Sequence, residues 1–211
     1  MTRLLIIRHG NSLANTQKVF AGNTDSPLTE LGLLQAEKTA QHMVKNYQVD
    51  AVYASDLQRA FTTGKVLADK LGLRVIPTPA MREIFAGQWE GKPFDELDRL
   101  DSYHTWKTDI GSAACDGGES VARLQDRVLT ELKRIAGENT GKTVVIVSHG
   151  TPIRAIQCFC QGKTLKEMKD VPWVSNASVT ELCYENGAFT PVCIGYDAHL
   201  EGVRSVLPPN C

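Results

Sequence analysis

The sequence lacks several features that would assign it to a special class of protein. Its N-terminal apolar run covers only residues 4–7 before Arg8, too few for a signal-peptide core, and no run elsewhere approaches the roughly 20 residues that cross a bilayer. The six cysteines show no C-x-x-C spacing in a chain too long for a disulfide scaffold. These absences predict a cytoplasmic, soluble protein with free thiols and no contact with a membrane.

The chain also lacks an excess of charge of one sign. Lys and Arg number 23 and Asp and Glu number 24, which gives a net charge of -1. Nucleic-acid binders usually carry a basic excess or a basic stripe, and neither is present. Any affinity for an anion must therefore come from a few positioned charges, and no nucleic-acid partner is expected.

The composition that remains is that of a globular protein. Of the 211 residues, 42% are apolar and 22% are charged. Since a domain takes about 150 residues, we expect a single domain over residues 1–211, large enough to bury roughly 70% of its unfolded surface. No fixed-period repeat or low-complexity segment interrupts it.

Apolar runs alternate with helical patterns through most of the chain, which predicts a mainly parallel sheet covered by helices. The fold class is therefore α/β. The predicted strands are 4–7, 51–54, 74–77 and 143–147, and the predicted helices are 29–46, 56–71 and one carrying the apolar stripe Val121, Leu124, Val128, Leu132 and Ile135.

The last third and the middle of the chain have different patterns. Strand-like runs at 178–184 and 189–194 flank Asn186-Gly187, a hairpin signal. Segment 86–118 mixes glycine, proline and aromatic residues without a period, and we interpret it as a substrate-covering excursion with short helices. It is called the cover below. The tail with Pro208-Pro209 is predicted to have no regular structure.

Two helix starts carry recognisable chemistry. Ser55 to Gln58 matches a capping box, in which Ser55 would accept from first-turn amides and Gln58 would reach back. Thr151 followed by Pro152 resembles a cap with proline at the first helical position, so the amides of that helix would face the site described next.

The strongest signal is that the two most apolar strands end alike. Residues 4–7 continue into Arg8-His9-Gly10, and residues 144–147 continue into Ser148-His149-Gly150. Because ligands gather at the carboxyl ends of parallel strands, both imidazoles should meet at one edge. The other histidines, His42, His104 and His199, lack this context and are interpreted as structural or exposed.

Three further ionisable groups follow strands at the same edge. Arg8 stands directly after buried residues, where a guanidinium is costly unless it faces an anion or a carboxylate. Arg59 lies in a first helical turn, where the macrodipole disfavours a cation, and Glu83 follows the strand at 74–77. Two guanidinia indicate a phosphate.

The same residues suggest phosphoryl transfer. A neutral histidine can be the nucleophile, since nearby arginines lower its pKa, and the carboxyl could protonate the leaving oxygen and then activate water. Neutral donors at Asn15, Ala21 and Gly22, and the close backbone approach at Gly150, would complete a phosphate-binding set.

A series of motifs runs in one order from residue 3 to about 155. They are Arg8-His9-Gly10 with Asn15, Gly22, Asp25 to Gly32, Gln35-Ala36, Ser55 to Ala60 with Thr63, Glu83 within Arg-Glu-Ile, Trp89-Glu90-Gly91, Gly118-Glu119-Ser120 and Ser148-His149-Gly150. In these motifs the chain resembles the histidine phosphatase superfamily, in its phosphoglycerate-mutase-like branch. It departs from the commonest pattern at Asn11-Ser12, positions peripheral to the chemistry.

The resemblance implies a three-layer α/β/α fold with a mixed, mostly parallel sheet. It also implies that His9 is phosphorylated, that Arg8, Arg59 and His149 complete the phosphate pocket, and that Glu83 is the proton donor and acceptor. No metal and no cofactor is expected. The implied activity is hydrolysis of a small phosphorylated metabolite, and the sequence is compatible with a homodimer.

Two features separate hydrolysis from its main rival, a phosphoglycerate mutase reaction. Mutases of the family carry a longer insertion after the proton-donor glutamate, with added basic residues. Between residues 87 and 118 this chain has three cations against seven acidic residues, a net charge of -4 (3 − 7). That balance disfavours retention of a doubly anionic substrate.

Two further functions are weighed against the same residues. A non-catalytic phosphate-binding regulatory module would keep the pocket but would have no use for both His9 and Glu83. A metal-dependent hydrolase would need ligand spacing such as His-x-x-x-His, which is lacking. The aromatic residues of the cover either line an apolar recognition wall or pack the cover onto the domain: Trp89, Phe94, Tyr103, His104 and Trp106.

Overall fold

A six-stranded sheet lies at the centre of the protein. The computed structural model describes residues 1–205, and the predicted tail at Pro208-Pro209 lies outside them. The strands are β1 Thr2–Arg8, β2 Ala51–Ala54, β3 Val75–Pro77, β4 Thr143–Ser148, β5 Val179–Glu185 and β6 Ala188–Tyr196. Their order is β3-β2-β4-β1-β5-β6, with β5 and β6 antiparallel to their neighbours and the other pairs parallel. The predicted mixed, mostly parallel sheet is confirmed.

Helices pack on both faces of this sheet. They are α1 Leu13–Gln17, α2 Glu30–Asn46, α3 Gln58–Leu71, α4 Phe94–Leu97, α5 Asp101–Thr108, α6 Val121–Glu138 and α7 Gly150–Cys160, with 3-10 turns at 79–81, 87–89, 110–112, 165–170 and 198–200. Helices α2 and α3 share one apolar core with the sheet, and α6 and α7 share another with the cover. The result is a three-layer α/β/α arrangement.

Alternation along β1 explains why its sequence is apolar without interruption. Leu4 and Ile6 belong to the core under α6 and α7, whereas Leu5 and Ile7 belong to the core under α2 and α3. All four are fully buried. A strand that is covered on both faces needs apolar side chains in both directions. Its sequence is therefore a continuous apolar run instead of an alternation of apolar and polar residues.

Two of the predicted helices begin with a side-chain cap, although the sequence patterns above did not single out either cap. Thr29 caps α2 by accepting from the Gly32 amide at 3.1 Å, and Ser120 caps α6 by accepting from the Arg123 amide at 3.3 Å. The five stripe residues of α6 are all fully buried, as their spacing predicted.

The start of α3 differs from the prediction. The helix begins at Gln58, and the Ser55 hydroxyl does not form a capping box: it lies 2.8 Å from Nε2 of His149. The Gln58 amide instead donates to Oδ1 of Asp25 at 2.8 Å, so the cap comes from a distant loop. The capping-box prediction was wrong because the Ser55 hydroxyl is hydrogen-bonded to His149, a residue far away in the sequence.

The hairpin between β5 and β6 is present where Asn186-Gly187 predicted it. Both residues have positive φ, 52° and 82°. This is the backbone that a tight hairpin turn requires and that asparagine and glycine tolerate best.

The cover consists of short helices and turns packed on α6. Trp89, Leu97 and Ile110 of the cover are buried in the same core as the α6 stripe. No helix within residues 1–205 is long and apolar enough to cross a membrane.

Two glycines let the first turn of α2 touch the loop after β1. A Cβ on Gly32 would fall inside contact distance of the Asn11 carbonyl oxygen, and one on Gly10 would meet the Gly32 carbonyl. Because backbone atoms cannot move aside cheaply, both positions exclude a side chain. This contact fixes the loop that carries His9.

We expect Gly32→Ala to lower the free energy of unfolding by about 2 kcal/mol or more, because the new methyl forces two backbone segments apart. The matched control is Gly137→Ala in α6, where nothing lies within 4 Å of the added Cβ. That change should stabilise by about 0.5–1 kcal/mol, since alanine is the better helix former. Chemical denaturation measures both, and equal effects would contradict the close-contact argument.

Candidate active site

The two histidines that follow the central strands lie side by side. Arg8 and Ser148 are register partners at the ends of β1 and β4, so the next residue of each strand, His9 and His149, emerges at the same edge. The ring centroids are 5.1 Å apart. The parallel pairing of two strands thus brings together residues that are 140 positions apart in the sequence.

The protonation of His9 is set by its own loop. Nδ1 lies 2.7 Å from the Gly10 carbonyl oxygen, and since a carbonyl only accepts, Nδ1 carries the proton. Nε2 therefore holds the lone pair. Burial lowers the pKa of His9 well below 6.5, and the charges of Arg59 and Arg8 lower it further.

His149 is neutral for similar reasons. Its ring is fully buried, and burial lowers its pKa well below 6.5, with further contributions from Arg59, His9, Arg127 and Arg8. Its Nε2 is held by Ser55 on the neighbouring strand end.

Both arginines predicted for the site are buried. Arg8 donates through Nη1 to the Val174 carbonyl at 2.6 Å. Arg59 donates to the carbonyls of Gly22 at 2.7 Å and Thr24 at 3.0 Å. A carbonyl partner orients a guanidinium without neutralising it, so these contacts leave positive charge facing the pocket.

Gly22 and Glu90 shape the loop that holds Arg59. Gly22 has a φ of 50°, and an added Cβ would meet the Glu90 carboxylate and Ala86. Glu90 accepts from the Asn23 amide at 2.9 Å and from the Thr24 hydroxyl at 2.6 Å. A carboxylate from the cover therefore fixes the carbonyls that hold Arg59.

Glu83 faces the site from a loop that is pinned on both sides. Its Oε1 accepts from the Ile84 amide at 2.8 Å and its Oε2 from the Thr151 amide at 3.2 Å. Arg127 of α6 donates to the Glu83 carbonyl at 3.0 Å and pairs with Glu119 at 2.8 Å. The carboxylate is thus presented by a rigid segment.

The N-terminus of α7 reaches the site, with a different cap from the predicted one. His149 is the N-cap and the helix begins at Gly150, so Thr151 and Pro152 occupy the second and third helical positions. A histidine on the extended strand end leads straight into the helix, which leaves no room for a separate cap. The Thr151 amide still points at Glu83, as the prediction required of this helix.

Asn15 is oriented by donors that converge on one atom. The Ser12 amide and hydroxyl each lie 3.1 Å from Oδ1 of Asn15, and the Asn176 amide group lies 3.4 Å from it. With Oδ1 engaged in this way, Nδ2 is the atom that Asn15 can offer as a donor to a ligand.

Together these residues surround a pocket that opens to solvent. The predicted site residues that line it are Arg8, His9, Asn15, Ala21, Gly22, Arg59, Glu83 and Gly150, whereas His149 lies buried beside His9 rather than on the lining. The lining also includes apolar side chains that the sequence did not indicate: Val19, Phe20 and Trp173.

Two supporting residues were also missed. Thr63 accepts from the Gly10 amide at 3.1 Å and donates to the Arg59 carbonyl at 2.8 Å, which ties the loop after β1 to the first turns of α3. Asn176 donates to the His9 carbonyl at 3.0 Å. Thr63 lay within a motif of the sequence, but no local signal marked Asn176 or Trp173, because the return of residues 171–178 to β1 is purely tertiary.

The aromatic residues of the cover divide between recognition and packing. Phe94, Tyr103 and Trp106 line the pocket and also pack in the core or against it, whereas Trp89 is fully buried behind them and His104 is exposed. Of the other histidines, His42 and His199 stack on each other at 4.8 Å, away from the pocket lining. Within residues 1–205 no group of three or more His, Cys, Asp or Glu side chains has the geometry of a metal site.

Comparison with known proteins agrees with this fold. The family model described as "Histidine phosphatase superfamily (branch 1)" matches residues 4–197. "Putative phosphoserine phosphatase 2" of Hydrogenobacter thermophilus is 30% identical over 94% of this chain and 98% of its own length. "Phosphoglycerate mutase-like protein 4" of Arabidopsis thaliana is 33% identical over 72% of this chain and 68% of its own.

The structure of "Bacillus stearothermophilus YhfR" superposes with a TM-score of 0.90 at 27% identity, covering 95% of this chain and 100% of that one. The layered α/β architecture with paired histidines at one sheet edge thus defines a phosphatase-type fold. The chain belongs to the histidine phosphatase superfamily, branch 1.

We expect His9 and His149 to stay neutral between about pH 8 and 5.5, because burial and two arginines lower their pKa values well below about 6.5. Long-range ¹H–¹⁵N spectra should show His9 with its proton on Nδ1 throughout. Since the unfolded chain binds these protons below pH 6.5 and the folded chain does not, the unfolding free energy should fall as the pH falls below that value. Urea-denatured protein is the control, and a folded-state midpoint near 6.5 would contradict the assignment.

Proposed function

We propose that this phosphoric monoester hydrolase cleaves small phosphomonoesters through a phosphohistidine on His9, without a metal ion or a cofactor. The observation that carries the proposal is the tautomer of His9: Nδ1 is engaged by its own loop, and Nε2 holds a lone pair beside two buried guanidinium groups. A neutral imidazole between two cations is suited to attack a phosphate and to leave it again.

In the first step, Nε2 of His9 forms a bond to phosphorus while the bond from phosphorus to the alcohol oxygen breaks. Glu83, protonated at that moment, gives its proton to the departing oxygen. The alcohol leaves neutral, and the phosphoryl group remains on His9. Arg8 and Arg59 stabilise the charge that spreads over the phosphoryl oxygens in this transfer.

In the second step, water attacks the phosphorus from the side that the alcohol has vacated. Glu83, now a carboxylate, accepts a proton from that water, the bond from His9 to phosphorus breaks, and inorganic phosphate is released. The protonated glutamate and the neutral histidine are restored. The Thr151 amide holds Glu83 in place for both proton transfers.

Neutral donors complete the proposed phosphate pocket. Nδ2 of Asn15, the backbone at Ala21 and Gly22, and the first amides of α7 at Gly150 surround the phosphoryl position, and His149 supports it from behind His9. Donors at a helix N-terminus favour an anion through both hydrogen bonds and the helix dipole.

Hydrolysis is favoured over a mutase reaction by the charges around the pocket. Its cationic lining consists of Arg8 and Arg59, and the cover carries a net charge of -4 (3 cations and 7 acidic residues). A mutase must hold a second anionic group while the phosphoenzyme persists. A cover of this charge repels such a group, so water should be the acceptor.

His9→Ala should lower phosphate release by at least about 10³-fold, because it removes the Nε2 lone pair that lies beside Arg8 and Arg59. Wild-type enzyme quenched in alkali should carry an alkali-stable, acid-labile phosphoryl group from a radiolabelled substrate. Glu83→Gln should slow release of a poor, alkyl leaving group far more than that of an activated aryl group.

The control for these variants is His104→Ala, an exposed histidine of the cover that does not line the pocket. Its turnover should match the wild type. Undiminished turnover by His9→Ala would rule out the phosphohistidine route. Phosphate binding by wild-type protein without any release would instead favour a regulatory phosphate-binding module.

Incubation with 3-phosphoglycerate and its bisphosphate should yield inorganic phosphate and no more than a trace of 2-phosphoglycerate, since the cover lacks a site for the second anion. Product analysis by ³¹P NMR separates the two outcomes. Predominant formation of 2-phosphoglycerate would establish a mutase instead.

A further inference from the structure

The pocket lining combines charged and polar residues with a set of large apolar side chains. The apolar residues come from three separate segments of the chain, and the space beside them is called the outer pocket below. We name these residues the aromatic wall: Val19, Phe20, Phe94, Tyr103, Trp106 and Trp173.

We propose that the aromatic wall selects phosphomonoesters whose alcohol is uncharged and apolar, such as an arylalkyl or long alkyl alcohol. The inference rests on the proposed hydrolysis and adds the chemical class of its substrate. The carboxylate-bearing substrates named for several relatives would then be poor substrates for this chain.

One half of the wall is held rigid by the packing of the cover. Phe20 makes edge contacts with Trp106 at 5.2 Å and with Trp89 at 5.4 Å, and Phe94 stacks on Tyr103 with ring planes 12° apart. Edge and stacked arrangements of this kind stabilise the pairing of the rings beyond the effect of area burial alone. The wall therefore presents a preformed apolar surface.

The other half of the wall is Trp173, which packs against an arginine guanidinium that is already hydrogen-bonded to the protein backbone. The Arg154 guanidinium stacks on the Trp173 ring at 4.5 Å and donates to the carbonyls of Val171 at 2.7 Å and Lys169 at 3.0 Å. A Cβ on Gly150 would touch the Trp173 ring at 3.2 Å. Trp173 thus lies close to Gly150 and forms part of the pocket lining.

The charge of the lining argues for an uncharged alcohol. Among the described residues that line the pocket, the formal charges are Arg8 and Arg59 against Glu83. A bound phosphate dianion already uses both cations. A carboxylate in the outer pocket would lose water without gaining an ionic partner, which strongly disfavours it.

Lys107, a cation of the cover that lies close to Tyr103, forms an ion pair outside the pocket lining. Lys107 lies 5.6 Å from the centroid of Tyr103, but its ammonium group pairs with Asp98 at 2.6 Å and is absent from the pocket lining. An apolar alcohol, by contrast, gains contact with the wall and releases water from it.

The test compares alkyl monoesters of similar intrinsic reactivity but different alcohols: 2-phenylethyl phosphate, glycerol phosphate, phosphoserine and 3-phosphoglycerate. We expect kcat/KM for 2-phenylethyl phosphate to exceed that for glycerol phosphate by about tenfold or more, as burial of a phenyl group allows. The two carboxylate substrates should fall below glycerol phosphate.

Variants of the wall locate the effect. Trp173→Leu and Phe94→Ala should each lower kcat/KM for 2-phenylethyl phosphate about tenfold. Their kcat/KM for glycerol phosphate should fall by a clearly smaller factor, because that alcohol makes less contact with the rings. Phe159→Ala, an exposed phenylalanine on α7 outside the pocket, is the matched control and should change neither value.

A gain-of-function variant distinguishes a change in substrate preference from a general loss of folded enzyme. Phe94→Arg places a cation on the partly exposed edge of the wall, so kcat/KM for 3-phosphoglycerate should rise while that for 2-phenylethyl phosphate falls. A variant that merely misfolded would lose both activities.

The possible outcomes distinguish a failure of this inference from a failure of the proposed hydrolysis on which it rests. Absence of phosphate release from all four esters would overturn the proposed hydrolysis. Efficient release with phosphoserine or 3-phosphoglycerate preferred, or with Trp173→Leu and Phe94→Ala affecting all substrates equally, would overturn the apolar-alcohol inference alone.

Discussion

The site depends on burying two guanidinium groups beside two imidazoles at one edge of the sheet. Arg8 and Arg59 are almost completely removed from water, and both donate to carbonyl oxygens of the surrounding loops. Removing these charges from water carries a desolvation penalty that lowers the stability of the folded protein. The two histidines are neutral first because their own rings are buried, and the neighbouring arginine charges lower their pKa values further.

Much of the surrounding structure serves to hold those charges in place. Glu90 fixes the loop whose carbonyls orient Arg59, and the pair of Arg127 with Glu119 fixes the loop that presents Glu83. Both arrangements join the cover and α6 to the sheet edge. The cover therefore lines the pocket and also supports the residues of the site. Trp89 and Trp106 of the cover are accordingly buried in the core.

The pocket lining contains two chemically distinct sets of residues, and we propose a separate task for each. The polar set follows the motifs of the histidine phosphatase superfamily and carries the proposed reaction. The apolar set consists of residues from the Val19-Phe20 segment, the cover and Trp173, which lie outside the residues proposed for catalysis. Members with different outer walls could thus share one reaction and differ in the alcohol they release.

Continuous apolar runs and turn residues are local signals, and they predicted the strands, the bounds of α2 and α3 to within two residues, the hairpin and the two strand ends that carry histidine. Tertiary structure alone decided the partner of Ser55, the capping of α3 by Asp25, and the arrival of Trp173 and Asn176 at the pocket. These contacts join segments far apart in the chain, and the free energy that selects them comes from packing and burial, which no local pattern encodes.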